Sequence, residues 1–321
     1  MRVAVITSGG DGPGMNAAIR AIVRIGCYHE HEMIGIEGGL QGLIDKQFRP
    51  MDARSVANII HRGGTILGTG RSKEFRSDEG QQKAAKNLEA ENIEALVIIG
   101  GNGSMTGMSR LQRFWNGKII GLPGTIDNDM YGTDYSIGFD TAVNNALEAI
   151  DKIRDTAQAF DRFFLIEVMG RDSGAIAIHV GIACGAEAIA VPETPTDLKA
   201  IAETIKRGRE AGKKSAFVIV AEGDEIGNAN DIAKELAILV DERCRVSVLG
   251  YIQRGGNPTS FDRILSTRLG AYAIECLNND IAGVLVGVVN GELTTTPLAD
   301  TWSKKKNPES ALLKLVDKLS I

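Results

Sequence analysis

Residues 2–25, RVAVITSGGDGPGMNAAIRAIVRI, decide the fold. Val3 to Thr7 is a short apolar run, the pattern of a buried strand. SGGDGPG, residues 8–14, can continue neither strand nor helix and predicts a turn. From Met15 to Ile25 apolar residues recur at helical spacing. The same unit recurs along the chain. Ala95–Ile99 runs into GGNGS and a helix through Leu111, and Lys118–Leu122 runs into PGTIDND. Phe163–Val168 leads into MGRDSG, and Ala216–Ala221 into EGDE. Strand, glycine loop and helix in repetition predict parallel sheets covered by helices on both faces. Ligands of such sheets bind at the carboxyl ends of the strands, where all these loops fall. The most apolar stretch, Ala175 to Val191, is broken by His179 and Glu187 and predicts a buried helix, not a membrane span. A domain boundary is expected near residue 140, and a last amphipathic helix over Glu309–Leu319.

Composition narrows the function classes. A chain of 321 residues with net charge −5 has no nucleic-acid footprint. No charged and apolar leader opens it, and Cys27, Cys184, Cys244 and Cys276 form no CxxC pair. Free thiols in a reducing compartment, and so a cytoplasmic protein without membrane or nucleic-acid partners, are expected. His29 and His31 have no further ligand nearby in sequence and read as an exposed loop.

The loops carry the chemistry. Gly9, Gly10, Gly12 and Gly14 form one strand-to-helix turn, and Gly100, Gly101 and Gly103 another; GGTILGTGR, residues 63–71, ends in a cation. Such turns let backbone N–H groups approach phosphate oxygens at a helix N-terminus. No GxxxxGK[ST] is present, which excludes an ordinary P-loop, and HExxH, GxSxG and CxxC are absent. PGTIDND places Asp127 and Asp129 two residues apart, on one side of the segment if it is extended. One carboxylate would accept a hydroxyl proton and the other would steady a metal-bound phosphate, as phosphoryl transfer requires. Arg71, Arg76, Arg162, Arg171, Arg245 and Arg254 complete the set, since guanidinium forks neutralise a migrating phosphoryl group.

Together these segments resemble the bacterial 6-phosphofructokinase family over essentially the whole chain. SGGDGPGMNAAIR, RGGTILGTGR, IGGNGS, GLPGTIDNDMYGTDYSIGFDTA, EVMGRDSG and LGYIQRGGNPTSFDRILSTRLGAYA carry the resemblance. It implies two Rossmann-like three-layer α/β domains with the active site between them, in a homotetramer. The nucleotide-binding domain would span 1–138 plus 251–303, and the sugar-phosphate domain 139–250 plus 304–321. ATP would be the donor, with Mg2+, and fructose 6-phosphate the acceptor. Gly10, Arg71, Ser72, Arg76, Gly101, Asn102, Gly103 and Ser104 match nucleotide positions. Thr125, Ile126, Asp127 and Asp129 match the catalytic loop, with Asp127 as general base and Arg71 and Arg171 beside the transferring group. Met169, Gly170, Arg171, Glu222, Tyr251 and Arg254 match sugar-phosphate contacts, Arg254 on the 6-phosphate. Arg162 and Arg245 match positions reaching in from a neighbouring subunit. Arg20, Arg24, Arg154, Gly185, Glu187 and Lys213 match an allosteric effector site.

Some positions depart from the family pattern. Asn102 stands where the family has a metal-holding aspartate, with Asp129 as its companion. Tyr251 replaces a histidine, Ser72 an aromatic residue, and Ala211 and Ser215 basic effector residues. Family members that use pyrophosphate carry Asp at position 103 and Lys at 124, whereas this chain has glycine at both. Other readings stay open: a weakened or regulatory paralogue, another donor such as pyrophosphate, or a dinucleotide dehydrogenase with Glu37 at a second-strand end. The dehydrogenase reading lacks GxGxxG and has no use for DND with arginines.

Overall fold

The structure, a computed structural model, describes residues 1–159, 162–306 and 310–319. Among these residues the strands are β1 (Arg2–Thr7), β2 (Glu32–Ile36), β3 (Phe48–Met51), β4 (Ala95–Gly100), β5 (Lys118–Pro123), β6 (Phe163–Val168), β7 (Ala188–Ala190), β8 (Ala216–Ala221), β9 (Cys244–Val248), β10 (Val284–Val289) and β11 (Glu292–Pro297). The α-helices are α1 (Met15–Tyr28), α2 (Gly39–Ile44), α3 (Asp78–Ala90), α4 (Asn102–Leu111), α5 (Phe139–Ala159), α6 (Ala175–Cys184), α7 (Leu198–Glu210), α8 (Ala229–Val240), α9 (Ser260–Asn278), α10 (Asp300–Ser303) and α11 (Ser310–Leu319). Glu309, the expected start of the last helix, and residues 320–321 lie outside the described residues. No helix among the described residues is long and apolar enough to cross a membrane.

The chain divides into two compact units, Met1–Thr141 with Arg254–Lys306, and Ala142–Gln253 with the C-terminal helix. In the first, seven strands run in the order β11-β10-β5-β4-β1-β2-β3. β1, β2, β4, β5 and β10 are parallel, and β3 and β11 close the two edges antiparallel. Strand alternation sorts the core. Val3 and Val5 join α1 and α9 on one face, while Ala4 and Ile6 join α2, α3 and α4 on the other. After β3 the chain crosses to the other side of β1 to lay down β4, so the strand order reverses between β1 and β4. That is the point where an open α/β sheet leaves a crevice for ligands.

The second unit repeats the logic with four parallel strands, order β7-β8-β6-β9. Phe163, Leu165, Val218 and Val220 pack against α7 and α8. On the other face, α6 comes down through Gly181, where a β-carbon would strike Ile189. The run Ala175–Val191 is therefore not one helix. α6 stops at Cys184, Gly185 takes the left-handed conformation (φ 64°), and β7 follows. Apolar run length by itself does not separate a buried helix from a buried helix followed by a strand.

Candidate active site

In the first unit the glycine loops meet at the carboxyl ends of β1, β4 and β5. Ser8 N donates to Ile99 O at 3.0 Å, and Gly124 N to Gly100 O at 3.0 Å. Thr69 Oγ1 donates to Gly9 O at 2.9 Å and Thr7 Oγ1 to Gly68 O at 2.7 Å, which draws the 63–71 loop onto β1. Asn16 supports that loop from α1: its Oδ1 accepts from Ile66 N at 2.7 Å, and its Nδ2 donates to Arg62 O and Gly63 O at 3.1 Å each. Asn16 is fully inside the apolar stripe of α1. A polar residue at a core position was the signal in the sequence for this role.

Asp127 sits at the end of β5, 5% exposed, with its backbone N–H on Thr125 Oγ1 at 3.2 Å. The loop around it is held from below. Asn128 Oδ1 accepts from Ser136 N at 2.9 Å, its Nδ2 donates to Asp134 O at 3.1 Å, and Ser136 Oγ donates to Thr125 O at 2.6 Å. Asn128 has φ 50°, so the 127–129 segment is not extended, and the alternation argument for the two aspartates does not hold. Asparagine tolerates this conformation because its short side chain bonds the local backbone.

Asp129 faces α4 instead, where Asn102 Nδ2 donates to its Oδ2 at 2.9 Å. The remaining amide oxygen, Asn102 Oδ1, is buried without a hydrogen-bond partner. An oxygen stripped of water and left unpaired next to a carboxylate suits a hard divalent cation. The residues present therefore fit Mg2+.

Of the other nucleotide candidates, Gly101, Gly103 and Ser104 lie in and before the first turn of α4, with Ser104 buried. Arg71 and Arg76 are exposed. Ser72 is buried, and its hydroxyl accepts from Phe75 N at 3.1 Å, which ties it to the turn Glu74–Arg76. Arg254 lies over Gly10, where any β-carbon would collide with its guanidinium, and its Nε is buried and unpaired. The arginine expected on the sugar phosphate thus lies on the donor loop. Glu37, the marker of the dehydrogenase reading, is paired with Arg49 at 3.0 Å.

In the second unit, Met169, Gly170 and Arg171 follow β6 and Glu222 follows β8. Glu222 Oε1 accepts from Arg171 N at 2.9 Å, which holds Arg171 in its positive-φ conformation (55°). Gly223 lies against the Arg171 carbonyl with no space for a β-carbon. Gly223→Ala is expected to push the 169–172 loop off β8 and lower kcat/KM for the acceptor by about 10-fold or more, with little change for the donor; equal losses for both substrates would reject this assignment. Gln253, fully buried and not foreseen from the sequence, receives Met169 N on its Oε1 at 3.3 Å and donates to Gly250 O at 3.1 Å. Tyr251 is 82% exposed.

Arg162 and Arg245 are not with this loop. They stand at the starts of β6 and β9, whose opposite ends carry Met169 and Gly250. A strand of this length separates them by about 20 Å. The effector candidates divide. Arg20 and Arg24 lie on α1. Arg154 donates to Cys184 O and lies 4.5 Å over the Phe217 ring, while Lys213 pairs with the buried Glu187 at 2.6 Å and Glu187 accepts from Phe217 N. Gly185 ends α6 beside them. Burial pushes the thiols of Cys184 and Cys244 up to about 11 and about 12, so neither is a nucleophile at neutral pH.

A largely parallel α/β sheet with glycine turns, a buried carboxylate and the Asn102–Asp129 pair at its strand ends has the outline expected of a phosphoryl-transfer enzyme. The phosphofructokinase family model matches residues 2–277. Over 320 residues the chain is 53% identical to ATP-dependent 6-phosphofructokinase 1 of Thermus thermophilus, covering 100% of this chain and 99% of that one. It superposes on the structure of phosphofructokinase from Saccharomyces cerevisiae with TM-score 0.91 and 34% identity, covering 100% of this chain and 48% of the yeast chain. The chain thus spans about half the yeast chain's length. Pyrophosphate-dependent phosphofructokinase from Marinobacter aquaeolei gives TM-score 0.84 at 19% identity, over 98% of this chain and 91% of that one, a likeness of fold alone. The chain belongs to the phosphofructokinase family.

Proposed function

We propose that this protein transfers the terminal phosphoryl group of ATP to the 1-hydroxyl of fructose 6-phosphate. The observation that carries the reading is the buried Asp127 on its braced loop at the end of β5, in the sheet whose neighbouring strand ends bear the glycine turns. Asp127 takes the proton of the sugar hydroxyl as its oxygen attacks, and Thr125 positions the loop. The glycine turns after β1 and β4 bind the nucleotide, and Arg71 and Arg171 neutralise the charge spread over the migrating group. Met169, Gly170, Arg171 and Glu222 hold the sugar phosphate. Asn102 and Asp129 would hold Mg2+, which offsets the negative charge of the nucleotide phosphates.

The donor follows from residues, because the fold is shared with a pyrophosphate-dependent relative. No atom lies within 4 Å of where a β-carbon on Gly103 would project, which leaves space for a nucleotide. At Gly124 a β-carbon would lie 2.8 Å from Ile99 Cγ2 and 3.1 Å from Gly100 N, so a lysine there needs a backbone shift. Gly103→Asp is expected to fold normally, since an acidic residue in the first turn of a helix is favourable. Its carboxylate would repel the nucleotide phosphates, lowering kcat/KM for ATP by about 10–100-fold. Unchanged ATP kinetics in that variant would reject the donor argument.

Arg162 and Arg245, remote from the sugar loop of their own unit, would serve a neighbouring subunit of a homotetramer. Sedimentation should give a tetramer, and a fully active monomer would exclude this. The cytoplasm is the compartment that suits this reaction and four free cysteines. The direct test of function is steady-state kinetics with fructose 6-phosphate and ATP, GTP or pyrophosphate, with Mg2+ varied. Turnover with ATP is expected; turnover with pyrophosphate alone would overturn the donor, and none with any donor would favour a regulatory role.

A further inference from the structure

We propose that Asp262 is a positioning residue that holds the starts of three helices, and the three ligand loops that end there, in one register. The loops are 8–14, 125–138 and 254–259, and they run into α1, α5 and α9. Asp262, in the first turn of α9, is completely buried. Its Oδ1 accepts from Gly138 N at 2.9 Å, and its Oδ2 from Thr141 N at 2.8 Å and Thr141 Oγ1 at 2.6 Å. It therefore caps the N-terminus of α5 from another helix, satisfying donors that α5 cannot satisfy itself.

The capping is mutual. Thr259 Oγ1 accepts from Asp262 N at 3.2 Å and donates to Asp140 Oδ2 on α5 at 2.6 Å. Thr259 N donates to Thr141 Oγ1 at 3.0 Å. α1 enters the junction through its N-cap, Gly14 (φ 107°). A β-carbon there would lie 2.8 Å from Ile137 Cγ2, 3.0 Å from Ser266 Oγ and 3.6 Å from Asp262 Cβ. The carboxylate thus bonds the start of α5 directly from α9, and the start of α1 packs against the same aspartate's side chain through Gly14.

Stability alone does not account for a carboxylate at this place. Burial pushes Asp262 up to about 6, Asp140 adds to the push, and the donors on Thr141 and Gly138 pull the other way. Because the folded value lies above the usual 3.8, folding favours the protonated form. The contribution of this group to stability is fully present below about pH 4 and is lost as pH rises through about 6. At neutral pH the ionised side chain is a cost that an amide would not carry. Asp140 is the charged group facing it from α5, α1 meets it through Gly14, and Arg263 of its own helix is turned to Pro258 O at 2.8 Å.

The test is amide exchange by mass spectrometry, with steady-state kinetics, on Asp262→Asn, Thr141→Val and Thr141→Ser. In Asp262→Asn the amide oxygen serves some of the donors and its NH2 meets another, so protection should fall about 10-fold or more in all three loops together. Strand β4 should stay protected and Tm should move by only a few degrees. KM should rise for donor and acceptor alike. Lowering the pH from 7 to 5 should raise the Tm of the parent relative to that of Asp262→Asn, because protonation removes the cost of the buried charge. Thr141→Val should reproduce part of the loss and Thr141→Ser restore it, and this pair carries the test should Asp262→Asn fail to fold. Loss confined to residues 138–141, or spread equally into β4, would overturn the proposal. Only the kinetic arm rests on the proposed kinase activity. An inactive parent would reject that reading and leave the exchange result to decide this one.

Discussion

Asp127→Ser should lower kcat by about 10²–10⁴-fold while leaving KM for ATP near that of the parent. The size follows from the role. A sugar hydroxyl is a weak nucleophile, and a carboxylate in hydrogen-bond reach removes its proton only as the bond to phosphorus forms. The serine variant keeps the loop, because the backbone is fixed by Asn128, Ser136 and Thr125 and not by the Asp127 side chain. The loss should therefore appear in the chemical step. Stopped-flow nucleotide binding and a coupled assay on the same preparation separate the two quantities. A variant that phosphorylates the hexose ester at the parental rate would remove the foundation of the proposed function.

Asn102→Asp should act with opposite signs in the absence and presence of Mg2+. In the parent the amide donates to Asp129 at 2.9 Å, so the two side chains attract each other without any metal. An aspartate there would set two carboxylates at hydrogen-bond distance, a repulsion of about 4 kcal/mol at 4 Å under partial screening. Metal-free Tm should fall by several degrees. Adding Mg2+ should recover it, with tighter binding of Mn2+ by electron paramagnetic resonance and a kcat raised by about 10-fold or more. On this reading the parent would trade affinity for the cation against a site already assembled before the cation arrives. Identical Mg2+ titrations of Tm and of rate in both proteins would show that position 102 has no part in holding the metal.

The residues that were hardest to see in the sequence share one property. Asn16, Gln253 and Asp262 are buried polar side chains whose partners lie far along the chain. Each satisfies a backbone group of a loop that no local element could satisfy, and such pairing is invisible to periodicity. Only Asn16 leaves a trace a sequence reading could use, as a polar residue in the apolar stripe of α1. The strands β3, β9 and β11 are hard to read for a related reason. They are edge strands with mixed exposure and no long apolar run.

What the amino-acid order determined by itself was the strand, glycine turn and helix unit, and the chemistry stored in its turns. Both are local: five apolar residues make a buried strand and consecutive glycines open a backbone wherever they stand. Only the tertiary structure decided that Arg254 lies on Gly10, that Asn102 turns its amide to Asp129, and that one aspartate gathers three helix starts. Those are contacts between segments brought side by side by strand order. Strand order is chosen by burying both faces of a sheet at once, which no single stretch of chain can express.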